Sequence, residues 1–386
     1  MKKLIQTTAI AFCCALALPA FATVKIGMVT TLTTKAGYLG EDIRDGFNLA
    51  IEQEGGKLGG VDVELLVEDD GRKPGKGRQI AERYIQRDKV GIMTGIVFSN
   101  VAMAVVPKVV KEDVIYVSPN AGPSALAGKG CDQNYFNVAW QNDNLHEVAG
   151  QFVTDKGYKS AYILAPNYPA GKDALAGFKR FYQGDIVGEV YTKLGQSDYA
   201  AELAKLRAAK PEAVFFFLPG GMGINFLKQY AQAGLNESIP VFGPAFSFDA
   251  RILKAVGDAA VGVHKGSQWN QDLDVPANRQ FVDAFKVKYG RMPTLYASQG
   301  YDAARLIGSA LKATGGNVDD KAAFRAALKK ADFDSVRGPF KFGNNNHPIQ
   351  DLYIREVVKQ GDAIVNKTVR KVFSNHGDAY AGECAL

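Results

Sequence analysis

Two patterns of apolar and polar residues alternate along the chain. From Val24 onward, short apolar segments rich in β-branched residues are followed by longer stretches whose apolar residues recur every three or four positions. The first pattern predicts a strand and the second an amphipathic helix. Their alternation is typical of a parallel, doubly wound sheet. A first series of predicted strands comprises Val24–Thr30, Val63–Glu68, Val90–Thr94, Val114–Ser118 and Tyr135–Val138.

A second series of the same kind begins near residue 160. Its predicted strands are Ala161–Ala165, Val187–Tyr191, Val214–Leu218, Val241–Phe242 and Val261–His264. Predicted helices near 173–182, 199–209, 223–233 and 249–255 lie between or after them. Each series is long enough for one lobe. The pattern therefore predicts an α/β protein with two doubly wound lobes, each built on a parallel sheet.

The last third of the chain contains no further parallel series. Three predicted helices, Ala277–Tyr289, Leu295–Ala313 and Lys321–Lys330, are followed by a predicted hairpin from Gly338–Gly343 to Asp351–Val358. We expect these helices to return to the first sheet. The predicted lobe one is 23–141 plus 271–337, lobe two is 142–270 plus 338–374, and 375–386 is a C-terminal tail. The chain then crosses between the lobes three times.

Residues 1–22 have the organisation of a signal peptide. A cationic start, Lys2-Lys3, precedes the apolar stretch Ile10–Leu18, and Ala20-Phe21-Ala22 fits the small-x-small rule for cleavage. The apolar stretch is too short to span a bilayer, which needs about 20 apolar residues. We predict cleavage after Ala22 and a protein exported to the periplasm.

Composition and charge exclude several classes of protein. The 386 residues are 47% hydrophobic and 22% charged, which is ordinary for a globular protein. Lys and Arg number 46 against 40 Asp and Glu; without Lys2 and Lys3 the balance is 44 to 40, or +4. No cluster of five or six like charges occurs. We therefore expect no nucleic-acid partner, and we expect a monomer.

Four cysteines divide into two pairs. Cys13 and Cys14 lie in the predicted signal peptide, which leaves Cys131 and Cys384 in the mature chain. In an oxidising compartment two such thiols are expected to form a disulfide. The alternative is two unpaired thiols, because the sequence gives no distance between them.

No motif for catalysis, metal or cofactor binding emerges. The chain has no GxxxxGK[ST] loop and no GxSxG elbow, and its four histidines are too far apart for a close-spaced metal motif. His146-Glu147 lacks the second histidine of a zinc motif and is predicted to lie on the surface of the first helix of lobe two. We therefore predict a binding protein with no catalytic residues, no metal and no cofactor.

The loops after the predicted strands are suited to binding a small molecule. In open α/β sheets, ligands bind beyond the carboxyl ends of the strands, beside helix N-termini. Gly95–Asn100 and Ser118–Gly122 are two such loops, and both contain small polar residues. They are suited to holding a carboxylate through hydroxyls and backbone amides. Alternatively, Ser99 and Asn120 are simple helix caps.

At these loops the sequence resembles the type I periplasmic solute-binding proteins, above all the leucine/isoleucine/valine-type receptors of ABC importers. The matching segments are VKIGMVTTLTTKAGYLGEDIRDGFNLAIEQEGG, VELLVEDDGRKPGKGRQIAERYI, GIVFSN, IYVSPNAGPS, AYILAPNYPAGKD, VFFFLPGGMG and VFGPAF. The resemblance covers nearly the whole mature chain. It implies two lobes that close on a ligand in the cleft between them, and an inner-membrane permease as partner.

Two departures from the amino-acid receptors change the expected ligand. Where this chain has Gly122 those receptors have threonine, and where it has Ala245 they have glutamate; both side chains engage the ammonium group. A buried ammonium without a carboxylate partner is costly, so we do not expect an α-amino acid. The family's carboxylate-binding serine is retained as Ser99. The chain also resembles the branch of the family that takes up aromatic carboxylates such as benzoate-like or lignin-derived acids.

These considerations define a predicted site. Its residues are Tyr38, Leu39, Phe98, Ser99, Asn120, Ala121, Gly122, Tyr168, Ala170, Pro219, Ala245 and Phe246. Ser99 and Asn120 to Gly122 are expected to hold the carboxylate on lobe one. Tyr168 and Phe246 are expected to sandwich the ring from lobe two. The alternatives are a receptor for branched-chain amino acids or aliphatic acids, the ligand-binding subunit of a sensory system, and an exported enzyme.

Overall fold

The computed structural model describes residues 23–386. The predicted signal peptide, its cleavage site after Ala22, and Cys13 and Cys14 lie outside the described residues. No helix within 23–386 is both long and apolar enough to cross a bilayer.

A six-stranded sheet forms the core of the N-terminal part. Its strands are β1 (Val24–Thr30), β2 (Lys57–Leu58), β3 (Val61–Asp69), β4 (Ile92–Thr94), β5 (Ile115–Ser118) and β6 (Tyr135–Asn137). They are arranged in the order β2-β3-β1-β4-β5-β6, and all pairs are parallel except β2 with β3. The helices of this part are α1 (Gly37–Gln53), α2 (Pro74–Gln86), α3 (Ser99–Lys111) and α4 (Ser124–Ala127).

A second, eight-stranded sheet follows. Its strands are β7 (Ser160–Pro166), β8 (Asp185–Thr192), β9 (Ala213–Phe216), β10 (Val241–Pro244), β11 (His264–Ser267), β12 (Lys341–Phe342), β13 (Pro348–Gln360) and β14 (Ala363–His376). The order is β12-β13-β11-β10-β9-β7-β8, with β14 paired to β13. Its helices are α5 (Asn144–Asp155), α6 (Pro169–Phe181), α7 (Ala200–Ala209), α8 (Gly221–Gln232) and α9 (Ala250–Val256). Strands β7 to β11 pair in parallel, and β12 to β14 are antiparallel.

The three late helices are α10 (Pro276–Tyr289), α11 (Leu295–Thr314) and α12 (Lys321–Lys330). Helix α11 packs against α1 and contacts β3 and β5, and α12 packs on α11. The two sheets therefore form the centres of two lobes, and the predicted fold class is confirmed. Both sheets are mixed rather than purely parallel, because antiparallel strands occupy one edge of each.

Several predicted element boundaries are wrong for local reasons. Helix α6 begins at Pro169 rather than near Asp173. Proline is well suited to the first helical turn because its missing N–H would have no acceptor there. The strand predicted at Val261–His264 lies at His264–Ser267, because residues 257–260 form a 3-10 turn and Val263 N donates to Ala260 O.

The hairpin formed by β13 and β14 was missed in part. Strand β13 pairs with β12 only at Lys341–Phe342, whereas it pairs with β14 from Gln350 to Gln360. Gly361 and Asp362 form the turn, and Gly361 has a φ of 59°. Gly-Asp between alternating segments is a hairpin signal. The prediction ended the hairpin at Val358 and assigned no strand to 363–376.

We propose that lobe one comprises 23–141 and 271–337, and lobe two 142–270 and 338–374. Residues 338–347 also contact the first sheet: Phe342 packs edge-on against Phe136, and Asn137 N donates to Asn346 O. The third crossing therefore runs along the first sheet before β13 joins the second sheet. The tail after His376 contacts both lobes.

A disulfide attaches the C-terminal tail to lobe one. Cys131 and Cys384 are bonded, with their Cα atoms 5.7 Å apart, so the alternative of two unpaired thiols is wrong. On the lobe two side, Tyr380 Oη donates to Asp143 Oδ2 at 2.9 Å. The tail is thus fixed on both sides of the first crossing.

A buried carboxyl group begins α9 in lobe two. Asp249 Oδ1 accepts hydrogen bonds from Arg251 N at 2.9 Å and Ile252 N at 3.2 Å, while Oδ2 is buried and has no partner in the part of the chain that the structure describes. Burial, reinforced by the nearby Asp42, raises the pKa of Asp249 from 3.8 to about 7. The folded state therefore holds the proton more tightly than the unfolded chain. The protonated carboxyl group of Asp249 therefore stabilises the folded state. This contribution is complete below pH 3.8 and is lost as the pH rises through 7.

We expect Asp249→Asn to raise Tm at pH 8 by about 5 °C and to change it little at pH 4. Asparagine caps a helix as well as aspartate does but carries no charge, so the ionisation cost disappears. Thermal unfolding followed by circular dichroism from pH 4 to 8 measures the effect. Asp258→Asn is the control, because Asp258 is 75% exposed. Parallel Tm curves for Asp249→Asn and the native protein would contradict the assignment.

Candidate ligand-binding site

A cavity lies between the two lobes, at the carboxyl ends of the parallel strands. It encloses about 380 Å³ of unoccupied space, its mouth included. Loops after β4, β5, β7, β9 and β10 supply much of the lining, together with the first crossing and the first turns of α1, α5 and α11. The lining residues are Leu39, Val97, Phe98, Ser99, Asn120, Ala121, Trp140, Asn142, His146, Tyr168, Ala170, Phe217, Pro219, Phe246 and Tyr296.

Aromatic rings from both lobes form most of the wall. Trp140 and Phe246 meet edge to face with centroids 4.3 Å apart, and Phe246 contacts Phe217 at 5.6 Å. Phe217 stacks with Tyr168 at 6.2 Å and 16°, and Tyr168 meets Phe98 of lobe one at 6.5 Å. Such surfaces favour another flat ring through offset or edge-to-face contacts.

The polar side chains that lobe one contributes to the cavity wall are uncharged. Ser99 Oγ accepts a hydrogen bond from Asn142 Nδ2 at 3.1 Å, and Asn120 Nδ2 donates to Val97 O at 2.7 Å. Asn120 Oδ1 is buried and has no partner within residues 23–386. Neither side chain makes a capping hydrogen bond: the N-cap of α3 is Phe98 and that of α4 is Pro123. The capping alternative is therefore wrong.

Nine of the twelve predicted site residues line the cavity, and Gly122 is one of the three that do not. Its N–H donates to Asn142 Oδ1 at 3.0 Å, so this donor is already engaged. A Cβ on Gly122 would lie 2.3 Å from Trp140 O. The close approach of the first crossing therefore requires glycine where the amino-acid receptors have threonine.

Tyr38 and Ala245 also lie outside the cavity lining. Ala245 is fully buried and accepts a hydrogen bond from Phe248 N in the turn after β10. Tyr38 lies beneath Arg251 of lobe two, whose guanidinium is 5.4 Å from the ring centroid. Tyr38 thus belongs to a contact between the lobes.

That contact centres on Arg251. Its Nη1 lies 3.2 Å from Glu41 Oε2 and 3.5 Å from Asp42 Oδ1, both on α1 of lobe one. Asp42 is fully buried, and burial raises its pKa to about 6 against the opposing effects of Arg291 and Arg251. We call the contact of Arg251 with Tyr38, Glu41 and Asp42 the arginine latch.

A second contact joins the lobes through Asp173 on α6. Asp173 Oδ1 accepts from Ser124 Oγ at 2.6 Å, and Oδ2 accepts from Ser124 N at 3.1 Å and Asn142 Nδ2 at 2.9 Å. Burial raises the pKa of Asp173, although these hydrogen bonds oppose the shift. The carboxylate faces its own donors and is not part of the cavity lining.

Sequence reasoning missed six lining residues: Val97, Trp140, Asn142, His146, Phe217 and Tyr296. His146 was predicted on the surface, yet it is 1% exposed. Phe217 was assigned to a strand, but β9 ends at Phe216 and leaves the next ring at the cavity. The sequence contains one weak indication for Asn142, because this residue lies where the chain was predicted to cross between the lobes.

No charged side chain lines the cavity among the described residues. Burial lowers the pKa of His146 to about 3, so its imidazole is neutral at ordinary pH. A second cavity adjoins at Pro219 and is lined in part by Lys35 and Arg72. Positive charge therefore lies near the binding cavity but not within its wall.

Comparison with known proteins gives three consistent matches. A family model for periplasmic binding proteins matches residues 23–362. The chain is 31% identical to an ABC-transporter solute-binding protein of R. palustris solved with benzoate, with a TM-score of 0.89 over 95% of this chain and 100% of the other. It is 30% identical to one from Rhodopseudomonas palustris BisB5 solved with 3,4-dihydroxybenzoic acid, with a TM-score of 0.85 over 92% and 99%.

A relative from Brucella melitensis carries a different name. The Leu/Ile/Val-binding protein homolog 6 is 28% identical over 389 residues, which cover 98% of both chains. All three similar proteins are named as binding proteins, but their names indicate different ligands. Members of this family are solute receptors and not enzymes, and their location is the periplasm. With its two lobes and the cleft between them, this chain belongs to the periplasmic binding protein family, as a type I solute-binding protein of an ABC transporter.

Proposed function

We propose that this receptor captures a small aromatic carboxylate by closure of its lobes and, as a monomer, delivers it to an inner-membrane permease. We also propose that the mature chain begins at Thr23 after cleavage behind Ala22. The observation that carries the ligand assignment is the uncharged cavity lined by rings from both lobes. The benzoate and dihydroxybenzoate found in the two R. palustris proteins support the same class.

Lobe one offers donors for the carboxylate without a buried cation. Helix α3 begins at Ser99, and the first N–H groups of a helix have no intrahelical acceptor. Together with the Ser99 hydroxyl they provide neutral hydrogen bonds to an anion. Lys35 and Arg72 at the adjoining cavity would attract an anion toward the mouth. Asn120 Nδ2 is engaged with Val97 O, so its contribution is mainly to shape the loop.

The second candidate is an amino-acid receptor, which the name of the Brucella relative favours. An α-ammonium group would need an acidic partner, and no carboxylate lines the cavity within the described chain. Asn120 Oδ1 is an unpaired acceptor, but a neutral oxygen does not offset the desolvation of a buried charge. The structure therefore favours an acid without an ammonium group.

Binding of benzoate-type acids is expected to raise Tm, because a ligand that binds only the folded state stabilises it by mass action. A thermal-shift screen with aromatic acids, aliphatic acids and amino acids tests this directly. Benzoate-type acids at 1 mM should give clear shifts, whereas leucine and valine should give none. Shifts with leucine or valine and none with aromatic acids would overturn the assignment.

Ser99→Ala should weaken binding of a benzoate-type acid about 10- to 100-fold, since hydrogen bonds to a charged group contribute about 1.5–3 kcal/mol. Isothermal titration calorimetry measures the loss. Ser309→Ala is the matched control, because Ser309 bonds only within α11 and lies outside the cavity. Equal affinities of Ser99→Ala and the native protein would exclude Ser99 from the carboxylate site.

Arg251→Ala should weaken binding about 3- to 30-fold, because the arginine latch joins the lobes in the closed arrangement. The control is Arg305→Ala: Arg305 pairs with Glu54 inside lobe one and has 33% side-chain exposure, close to the 32% of Arg251. Small-angle scattering with saturating ligand adds a direct readout of closure. An unchanged affinity and an unchanged scattering profile for Arg251→Ala would show that the latch does not favour closure.

A further inference from the structure

His146 occupies an unusual position for a histidine. It lies in the first turn of α5, lines the cavity and is only 1% exposed. Its ring lies 5.1 Å from Phe217, 5.7 Å from Phe215 and 5.8 Å from Phe246, measured between centroids. The imidazole is therefore built into the aromatic wall of lobe two.

The imidazole also has an unused hydrogen-bonding atom. His146 Nδ1 is buried and has no partner among the described residues. A neutral imidazole has one N–H donor and one acceptor nitrogen, and a buried polar atom without a partner is unfavourable. A phenylalanine or leucine would complete the same wall without that cost. Because the imidazole lines the cavity, a ligand there can supply it with a hydrogen-bonding partner.

Ser99 and His146 lie at different places in the cavity wall. Ser99 lies on lobe one, where it bonds Asn142 and begins α3. His146 contacts the rings of Phe217 and Phe246, which belong to lobe two. A ligand that bridges the lobes thus meets hydrogen-bonding groups at two separate places, and its ring lies between them.

We propose that His146 hydrogen-bonds a hydroxyl group on the ligand ring, and that the receptor therefore selects hydroxylated aromatic acids over benzoate. This inference rests on the proposed function, because it refines the ligand class of the same cavity. His146 acts as a specificity-determining residue. An apolar ring edge at this position would give the imidazole no hydrogen-bonding partner, whereas a phenolic hydroxyl can either donate to the imidazole or accept from it.

The test is calorimetry on the native protein with four ligands: benzoate, 4-methylbenzoate, 3-hydroxybenzoate and 4-hydroxybenzoate. The methyl group has nearly the volume of the hydroxyl but forms no hydrogen bond. We expect at least one hydroxybenzoate to bind about tenfold more tightly than both benzoate and 4-methylbenzoate. Equal or tighter binding of benzoate would overturn the proposal.

Variants of His146 locate the preference. His146→Phe should reduce the ratio between hydroxybenzoate and benzoate affinities to about one, while benzoate still binds; His146→Gln should retain part of the ratio. His264→Phe is the matched control, because His264 stacks on Phe152 of lobe two and lies outside the cavity lining. If His146→Phe shows the same ratio of hydroxybenzoate to benzoate affinity as the native protein, the proposal is also overturned.

The two proposals fail in different ways. If none of the four acids binds the native protein, the aromatic-acid function is wrong and the inference falls with it. If benzoate binds but no hydroxybenzoate binds better, only the role of His146 is wrong. Should His146→Phe not fold, the four-ligand series on the native protein and the His146→Gln variant still decide the question.

Discussion

The Asn142 side chain joins the three parts of the molecule that make the cavity. It lies in the first crossing between the lobes, where its Nδ2 donates to Ser99 Oγ of lobe one and Asp173 Oδ2 of lobe two. Its Oδ1 accepts from Gly122 N. Because the amide satisfies partners on both sides, the cavity loops and the crossing have fixed positions relative to each other. The first crossing can lie this close to the loop after β5 only because Gly122 has no Cβ.

Desolvation explains the distribution of charge around the cavity. The wall is made of rings, aliphatic groups and neutral polar atoms, whereas the ionised groups lie behind it or at its edge. Asp173 is satisfied by Ser124 and Asn142, and the arginine latch pairs Arg251 with lobe one outside the wall. An anion held by hydroxyl and amide donors suits such a wall, whereas a cation would lack a counter-charge. By the same reasoning, the buried nitrogen of His146 is costly as long as it has no hydrogen-bonding partner.

Much of the fold was predictable because burial leaves a local pattern. Strand β1 was predicted at its observed bounds and α12 likewise, since apolar runs and helical periodicity depend on neighbouring residues. The loops that hold Phe98, Ser99 and Asn120 were also predictable, because parallel strands align their carboxyl ends at one edge of the sheet. Strand β14 was not predicted, since its exposed face carries many polar residues and only pairing with β13 defines it.

The sequence by itself determined the class of fold, the alternation of strands and helices, and nine of the residues that line the cavity. The tertiary structure alone decided that Trp140, His146 and Tyr296 face the same cavity, because these residues come from a crossing and two helices far apart in the chain. It also decided that Tyr38 belongs to the arginine latch and that Gly122 N–H is already engaged. A hydrophobic pattern reports that a side chain is buried, but the partner that buries it depends on how distant elements pack.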